Sequence, residues 1–194
     1  MKLLMINIKD IDGSLTGKIL IANPYCSFGD IFDKCIIYVA SHSPHGAIGL
    51  IVNKFATNFD LKKLYRISDK SIPDSRRKIF IGGPVEPERS FILHSTDYTK
   101  NLLFPATSNL AISSNLEIVK DILNSCGPKQ SQFILGYTAW GIGEIEKEIE
   151  NNYWLILESD NSIIFDQKND IKWQSALNKA GVDSNYFASQ IGHS

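Results

Sequence analysis

Residues 38–54, YVASHSPHGAIGLIVNK, hold two apolar runs rich in β-branched side chains, on either side of the polar hexapeptide SHSPHG at 41–46. Each run is close to continuous in hydrophobicity rather than alternating. That is the pattern of a strand covered on both faces. Ser, Pro and Gly between the runs supply turn chemistry, so the stretch reads as two core strands joined by a polar turn. The turn carries His42 and His45, two of the four histidines in the chain. Two imidazoles three residues apart could share a metal, but zinc wants at least a third protein ligand. The available donors, Cys26 and His94, fall on other elements, so the pair reads as turn histidines bonded to nearby backbone.

Working outward, LTGKILIANP at 15–24 predicts a strand that stops at Asn23-Pro24, because proline lacks the donor and restricts its predecessor. KIFIGG, FILHS, QFILGY, YWLILES and SIIFD extend the strand list, with SDNS at 159–162 reading as a tight hairpin turn. Ser114 and Glu117 fit a capping box. Leu116, Val119, Leu123 and Cys126 then form one helical stripe, stopped at Gly127-Pro128. A second helix is expected over 141–151, with Ile142, Ile145 and Ile149 inward. A third should run from Asp170 through Trp173, Ala176, Leu177 and Ala180 to Gly181, and a short one lies near 59–65. The polar stretch RISDKSIPDSRRK at 66–78 reads as a surface loop. Irregular interleaving of strands and helices points to an α+β fold, one domain over 1–194 with a mixed sheet surrounded by helices.

Composition sets limits on function. The chain has 194 residues, 43% hydrophobic and 21% charged, with a formal net charge of −1. A dedicated nucleic-acid binder carries a basic excess, so direct nucleic-acid binding is not expected, and the cluster SRRK at 75–78 is too short to supply it. Three cysteines without CxxC spacing make no disulfide framework, and Cys35 and Cys126 read as small core residues. The opening MKLLMINIKD is too short and too soon charged for a signal peptide. No apolar run approaches the roughly 20 residues of a membrane span. A cytoplasmic protein without membrane contact is the expectation.

Four further motifs bear on chemistry. Gly136-x-x-x-x-Gly141 between a strand and a helix begins a phosphate loop, but Ile142 and Gly143 stand where Lys and Ser or Thr are needed. Glu144 and Glu146 in the first turn suit the helix dipole and would repel a phosphate placed there. The loop therefore reads as a packing device that lets Tyr137 and Trp140 press into the sheet. Glu144 and Glu148 share a helix face and could assist a divalent cation, but read better as a solvated face. Gly82-Gly83-Pro84 leads from strand to strand and so lacks the helix terminus that binds anions; its glycines answer backbone needs. Arg89 and His94 beyond it could clamp an anion and move a proton, or Arg89 could simply pair with Glu86 or Glu88.

GKILIANP, IIYVASHSPHGAIGLIVNK, IGGPVEPERSFILHS and LGYTAWGIGEIEKEIENNYWL together resemble the AlgH/YqgE family of bacterial proteins, in order and spacing, from about Leu15 to Gly181. The resemblance rests on His42, Gly46, Gly49, Asn53, Gly82, Gly83, Pro84, Val85, Arg89, His94, Gly136, Tyr137, Trp140, Gly143, Glu146, Glu148, Asn152 and Trp154. The chain departs at Phe55, Ala139 and Glu144, where the family favours proline, glycine and glutamine. His45 falls at a variable position, so the resemblance lends nothing to a two-histidine metal site. It implies a single α+β domain of unassigned activity, often labelled a transcriptional regulator. No helix-turn-helix or basic recognition helix supports that label here.

The leading reading is a non-catalytic binding or regulatory module, with His42, Asn53, Arg89 and His94 as the candidate surface for a small ligand or protein partner. Gly82, Gly83, Gly136, Gly141 and Gly143 are assigned to structural loops. No catalytic residue, metal or cofactor is assigned. An alternative is a hydrolase-like enzyme using His42, Arg89 and His94, with His94 as base and Arg89 holding an anionic group. A third is a direct DNA-binding regulator.

Overall fold

The β-branched runs around SHSPHG form β2 (Ile36–Ser43) and β3 (Gly46–Ile51), paired antiparallel. Both faces are covered: Ile36, Tyr38 and Leu50 belong to one buried cluster, and Ile37, Val39 and Ile51 to another. The strand runs on through His42, which pairs with Ala47, so the turn is shorter than the polar hexapeptide suggests and His42 is a strand residue. The computed structural model describes residues 13–29, 31–68, 76–166 and 168–182. The MKLLMINIKD opening and residues 69–75 of the stretch expected to be a loop, including Ser75, lie outside the described residues, whereas Arg76–Lys78 at its end are strand residues.

The other strands are β1 (Lys18–Ala22), β4 (Phe55–Asp60), β5 (Arg76–Ile81), β6 (Val85–Ser95), β7 (Leu110–Ser113), β8 (Ser131–Trp140) and β9 (Trp154–Glu158). They make one mixed nine-stranded sheet whose main path runs β4-β5-β8-β3-β2-β1-β9, with β6 on β8 and β7 on β6. Only the β5–β8 pair is parallel among those described. The long β8 branches the sheet: Phe133–Leu135 pair with β5, while Thr138–Trp140 pair with β3.

Helices close both faces. α3 (Glu144–Glu150) buries Ile145 and Ile149 beside Trp140 and Trp154. α4 (Asn169–Lys179) packs Ala176 and Leu177 on the opposite face, and α1 (Leu61–Leu64) and α2 (Leu116–Leu123) cover a third cluster around Ile79, Ile92 and Phe133. This is the expected α+β arrangement, a mixed sheet flanked by helices.

Several expectations are corrected. SIIFD is not a strand of a hairpin: Ser162–Asp166 form a π-helical turn that buries Ile163 and Ile164. The Asp160 side chain accepts from the Ser162 N–H at 2.8 Å and starts that turn, and so short an apolar run has no period to distinguish strand from helix. The cap of α2 is Asn115, whose Oδ1 accepts from Ile118 N–H at 3.1 Å, rather than Ser114. Glu117 instead accepts from Asn101. Cys126 is exposed, because the helix ends at Leu123 and Ser125 turns left-handed at φ 60°, breaking the stripe, and Leu116, the first residue of the helix, is 41% exposed. Cys35 is fully buried, as expected. Ile142 is 77% exposed, since α3 begins only after a left-handed Gly143 (φ 69°) and Ile142 stays in the loop.

Candidate functional site

The four polar residues singled out from the sequence occupy separate places. His42, at the end of β2, accepts from the Leu15 N–H through Nδ1 at 3.1 Å, which leaves the hydrogen on Nε2 to donate to Glu146 at 2.8 Å. It thus ties the start of the described chain and the sheet to α3. Asn53, just past β3, accepts from Ile36 N–H and donates to the Lys34 carbonyl, both at 2.8 Å, fastening the entry to β2. Arg89 pairs with Glu86 at 3.1 Å and lies over the Phe91 and Tyr137 rings, the surface pairing anticipated as the alternative to an anion clamp. His94 is fully buried. Its Nδ1 donates to the Ser95 carbonyl at 2.9 Å, its Nε2 accepts from the Ser113 hydroxyl at 3.1 Å, and Tyr98 meets it edge-on. Burial pushes this imidazole below its ordinary value, against the pull of the Ser95 carbonyl and Asp97.

Register measures the separation. His94 lies opposite Ser131 at the start of β8, whereas His42 pairs with Ala47, which pairs with Trp140 at its end. That is nine residues along β8, at most roughly 30 Å at about 3.3 Å per residue. His42, Arg89 and His94 share no cleft. Cys26, once a possible third metal donor, directs its thiol to the Asn152 carbonyl, and among the described residues no group of three His, Cys, Asp or Glu side chains could hold a metal ion.

The glycine loops meet where two backbones cross. A Cβ on Gly82 would lie 2.3 Å from the Gly136 carbonyl oxygen, and one on Gly83 would lie 2.2 Å from that of Tyr137. Gly136 itself is left-handed at φ 72°. Only hydrogen fits at these three positions, which lets β6 leave its glycine turn flush against β8. Gly141 differs: the nearest atom to a Cβ there is the Glu144 carboxylate at 3.6 Å, so close packing does not demand glycine.

That crossing shapes one wall of an aromatic cleft of about 400 Å³. Pro84 and Val85 face Trp140 and Trp154, with Phe28 and Tyr153 alongside. Glu148 on α3 organises it: one carboxylate oxygen accepts from both indoles, Trp140 Nε1 at 2.7 Å and Trp154 Nε1 at 2.6 Å. Glu144 accepts from the Gly141 N–H at 2.8 Å. The two carboxylates on one helix face are thus occupied by N–H donors from the chain. From the sequence the pair reads as cation ligands or a solvated face, and Glu144 also as a partner of the helix dipole. The available signal was Trp140, Glu148 and Trp154 in one window, but nothing there specified that both indoles meet the same oxygen. A second, larger cavity of about 660 Å³ contains Lys172, which the sequence reading passed over. Lys172 stands four residues before Ala176, on the inward face of α4, and that placement was the legible clue.

A family model described as AlgH-like matches residues 19–185. The UPF0301 protein RP032 of Rickettsia prowazekii is 46% identical over 181 residues, covering 93% of this chain and 96% of that protein. The UPF0301 protein RT0098 of Rickettsia typhi matches to the same extent, 46% over 181 residues. The solution structure of the AlgH protein from Pseudomonas aeruginosa superposes with a TM-score of 0.73 at 28% identity, over 93% of this chain and 96% of that one. Protein DIP2367 from Corynebacterium diphtheriae, at 18% identity and a TM-score of 0.65 over 84% of this chain and 85% of its own, shares the fold. With a family model spanning most of its length and relatives near half identity, the chain belongs to the AlgH-like family.

Proposed function

We propose that the protein is a non-catalytic binding module whose recognition site is the aromatic cleft beside α3, and that any regulatory role acts through what this cleft holds. The observation that carries the reading is the cleft's lining. Pro84, Val85, Trp140, Glu148 and Trp154, five of the positions on which the family resemblance rests, line one concavity. Aromatic walls with a few fixed polar groups are the usual make-up of a ligand pocket, and about 400 Å³ suits a small ligand or one or two side chains of a partner. Glu144 and Glu148 give the rim negative charge, which favours an apolar group bearing an N–H or cationic end. In this reading His42, Asn53 and His94 are fasteners rather than contact residues. His42 acts on the cleft indirectly, by holding Glu146 and hence α3.

The test uses Trp140 and Trp154 as reporters. Their indole N–H resonances and fluorescence are followed while N-acetyl-arginine methyl ester, N-acetyl-leucine methyl ester and N-acetyl-glutamate are added. Saturable shifts at both indoles with the arginine derivative, weaker with the leucine and absent with the glutamate, are expected. Steady turnover of a phosphoester, ester or peptide substrate, abolished by Glu148→Gln or His94→Gln, would replace this reading with an enzymatic one.

A further inference from the structure

β5 and β8 run parallel, and their first residues open into the cavity of about 660 Å³ on the side away from the aromatic cleft. The π-helical turn, the start of α4 and the turn after α2 complete its walls. Four cationic side chains line it: Arg77, Lys78, Lys129 and Lys172. Among the described residues one carboxylate, Asp166, faces them, and one of its oxygens already accepts from Gln130 Nε2 at 3.0 Å. Among the described residues none of the four cations has a carboxylate within ion-pair distance.

Lys172 is the unusual member. It is 2% exposed. Its ammonium donates to the carbonyls of Val52 and Ile164 and sits 5.4 Å from the centre of the Phe80 ring. Carbonyl dipoles and a ring face orient the charge without neutralising it, and an unpaired buried cation is costly. Burial, reinforced by Lys78, pulls this amine down to about 8, and Asp166 offsets only part of that. Positive potential is therefore concentrated at the floor of a cavity rather than spread over an open face. Phe80, Phe165 and Ile164 supply apolar wall beside it. The volume lies in the range of pockets for small molecules rather than polymers.

We propose that this cavity is a binding site for a small phosphate monoester, whose phosphate pairs with Lys172 and Lys78 while its organic part rests on the apolar wall. A dianion matches the surplus of cations better than a single carboxylate would. The charge-assisted bonds would satisfy the ammonium that the described residues leave without a counter-ion.

Titrations of the full chain, read by calorimetry and amide chemical shifts, test this with AMP and glucose 6-phosphate, their parents adenosine and glucose, inorganic phosphate, and a short single-stranded oligonucleotide. Expected are saturable binding of the phosphate esters with shifts at residues of the cavity, weaker binding of inorganic phosphate at the same residues, and at least about tenfold weaker binding of the parents, the worth of one hydrogen bond to a charged group. Lys172→Met should weaken ester binding about tenfold or more, and Lys147→Ala, on the far α3, should leave it unchanged. Should Lys172→Met fold poorly, Lys78→Ala with Lys129→Ala alters only exposed side chains and should give a loss of the same order. Equal binding of ester and parent, binding of the oligonucleotide alone, shifts confined to surfaces outside the cavity, or variants that bind as the parent protein does would each overturn the proposal.

Discussion

Replacing Glu148 tests whether one carboxylate organises the aromatic cleft. Its Oε2 accepts from two indoles that are 6% and 5% exposed, so water is a poor substitute for either bond. A hydrogen bond to a charged acceptor contributes about 1.5–3 kcal/mol and a stranded buried donor costs about 1–3 kcal/mol. Glu148→Leu strands both N–H groups and should destabilise the fold by roughly 2–5 kcal/mol. Glu148→Gln keeps an oxygen in place but removes the charge, and charged bonds are about twice as strong as neutral ones, so its cost should be roughly 1–2 kcal/mol. Urea unfolding followed by far-ultraviolet dichroism gives the stabilities, and the indole N–H resonances give the local readout. Trp173 serves as internal control, because its Nε1 donates to the Ala22 carbonyl at 3.0 Å, independent of Glu148. Both variants should move the Trp140 and Trp154 signals and leave Trp173 in place. If Glu148→Leu lies within about 0.5 kcal/mol of the parent, the range of ordinary surface substitutions, or if all three indole signals stay put, the clamp does not exist.

Three further outcomes follow from the same geometry. Gly83→Ala forces a methyl to 2.2 Å from the Tyr137 carbonyl, a contact backbone cannot relieve without separating β6 from β8, so a loss of about 3 kcal/mol or more in urea unfolding is expected. Burial depresses the His94 imidazole, so the unfolded chain takes up the proton first as acid is added. Stability should therefore fall below pH of about 6.5, by at most about 1.4 kcal/mol per pH unit, until the lowered folded value is passed, and His94→Gln should flatten that slope. For Lys172, whose folded value is about 8 against an ordinary 10.5, both states are protonated below about 8 and the penalty of burying the charge is constant there. It is relieved between about 8 and 10.5, so the parent should gain roughly 3 kcal/mol relative to Lys172→Met across that window in paired denaturant titrations.

The central strands were legible because burial on two faces writes itself as unbroken apolar sequence, as in residues 36–40 and 47–52. β4 and β7 were missed for the opposite reason. FATNFD is an edge strand with exposed positions, and LAIS is only four residues long, too short to show a period. The helix positions were close but their ends slipped by up to three residues. Asn115 and Ser114 are equally competent caps, and only the fold selects between them. SIIFD failed because a run of three apolar residues suits either a strand or a tight helical turn, and burial of Ile163 and Ile164 against α4 and the sheet decided it.

The site was less legible, for a physical reason that runs through all four polar candidates. A polar residue recurring in a family pattern signals that its hydrogen bonds matter, without saying whether the partner is a ligand or the chain itself. Asn53 and His94 bond only to groups of their own chain, separated from them by 1 to 19 residues in sequence, and His42 reaches 104 residues away to Glu146. Such bonds fix loops and a helix against the sheet, and nothing local distinguishes them from bonds to a substrate. The basic cavity is hidden in another way. Lys78, Lys129 and Lys172 are far apart in the chain, no two within a motif, and net charge near zero conceals them. Only the parallel pairing of β5 with β8 and the packing of α4 bring them to one space. A lysine on the buried stripe of an amphipathic helix is the one trace this leaves in sequence. It marks a charge that burial alone disfavours and that, in this fold, no described carboxylate of the chain balances.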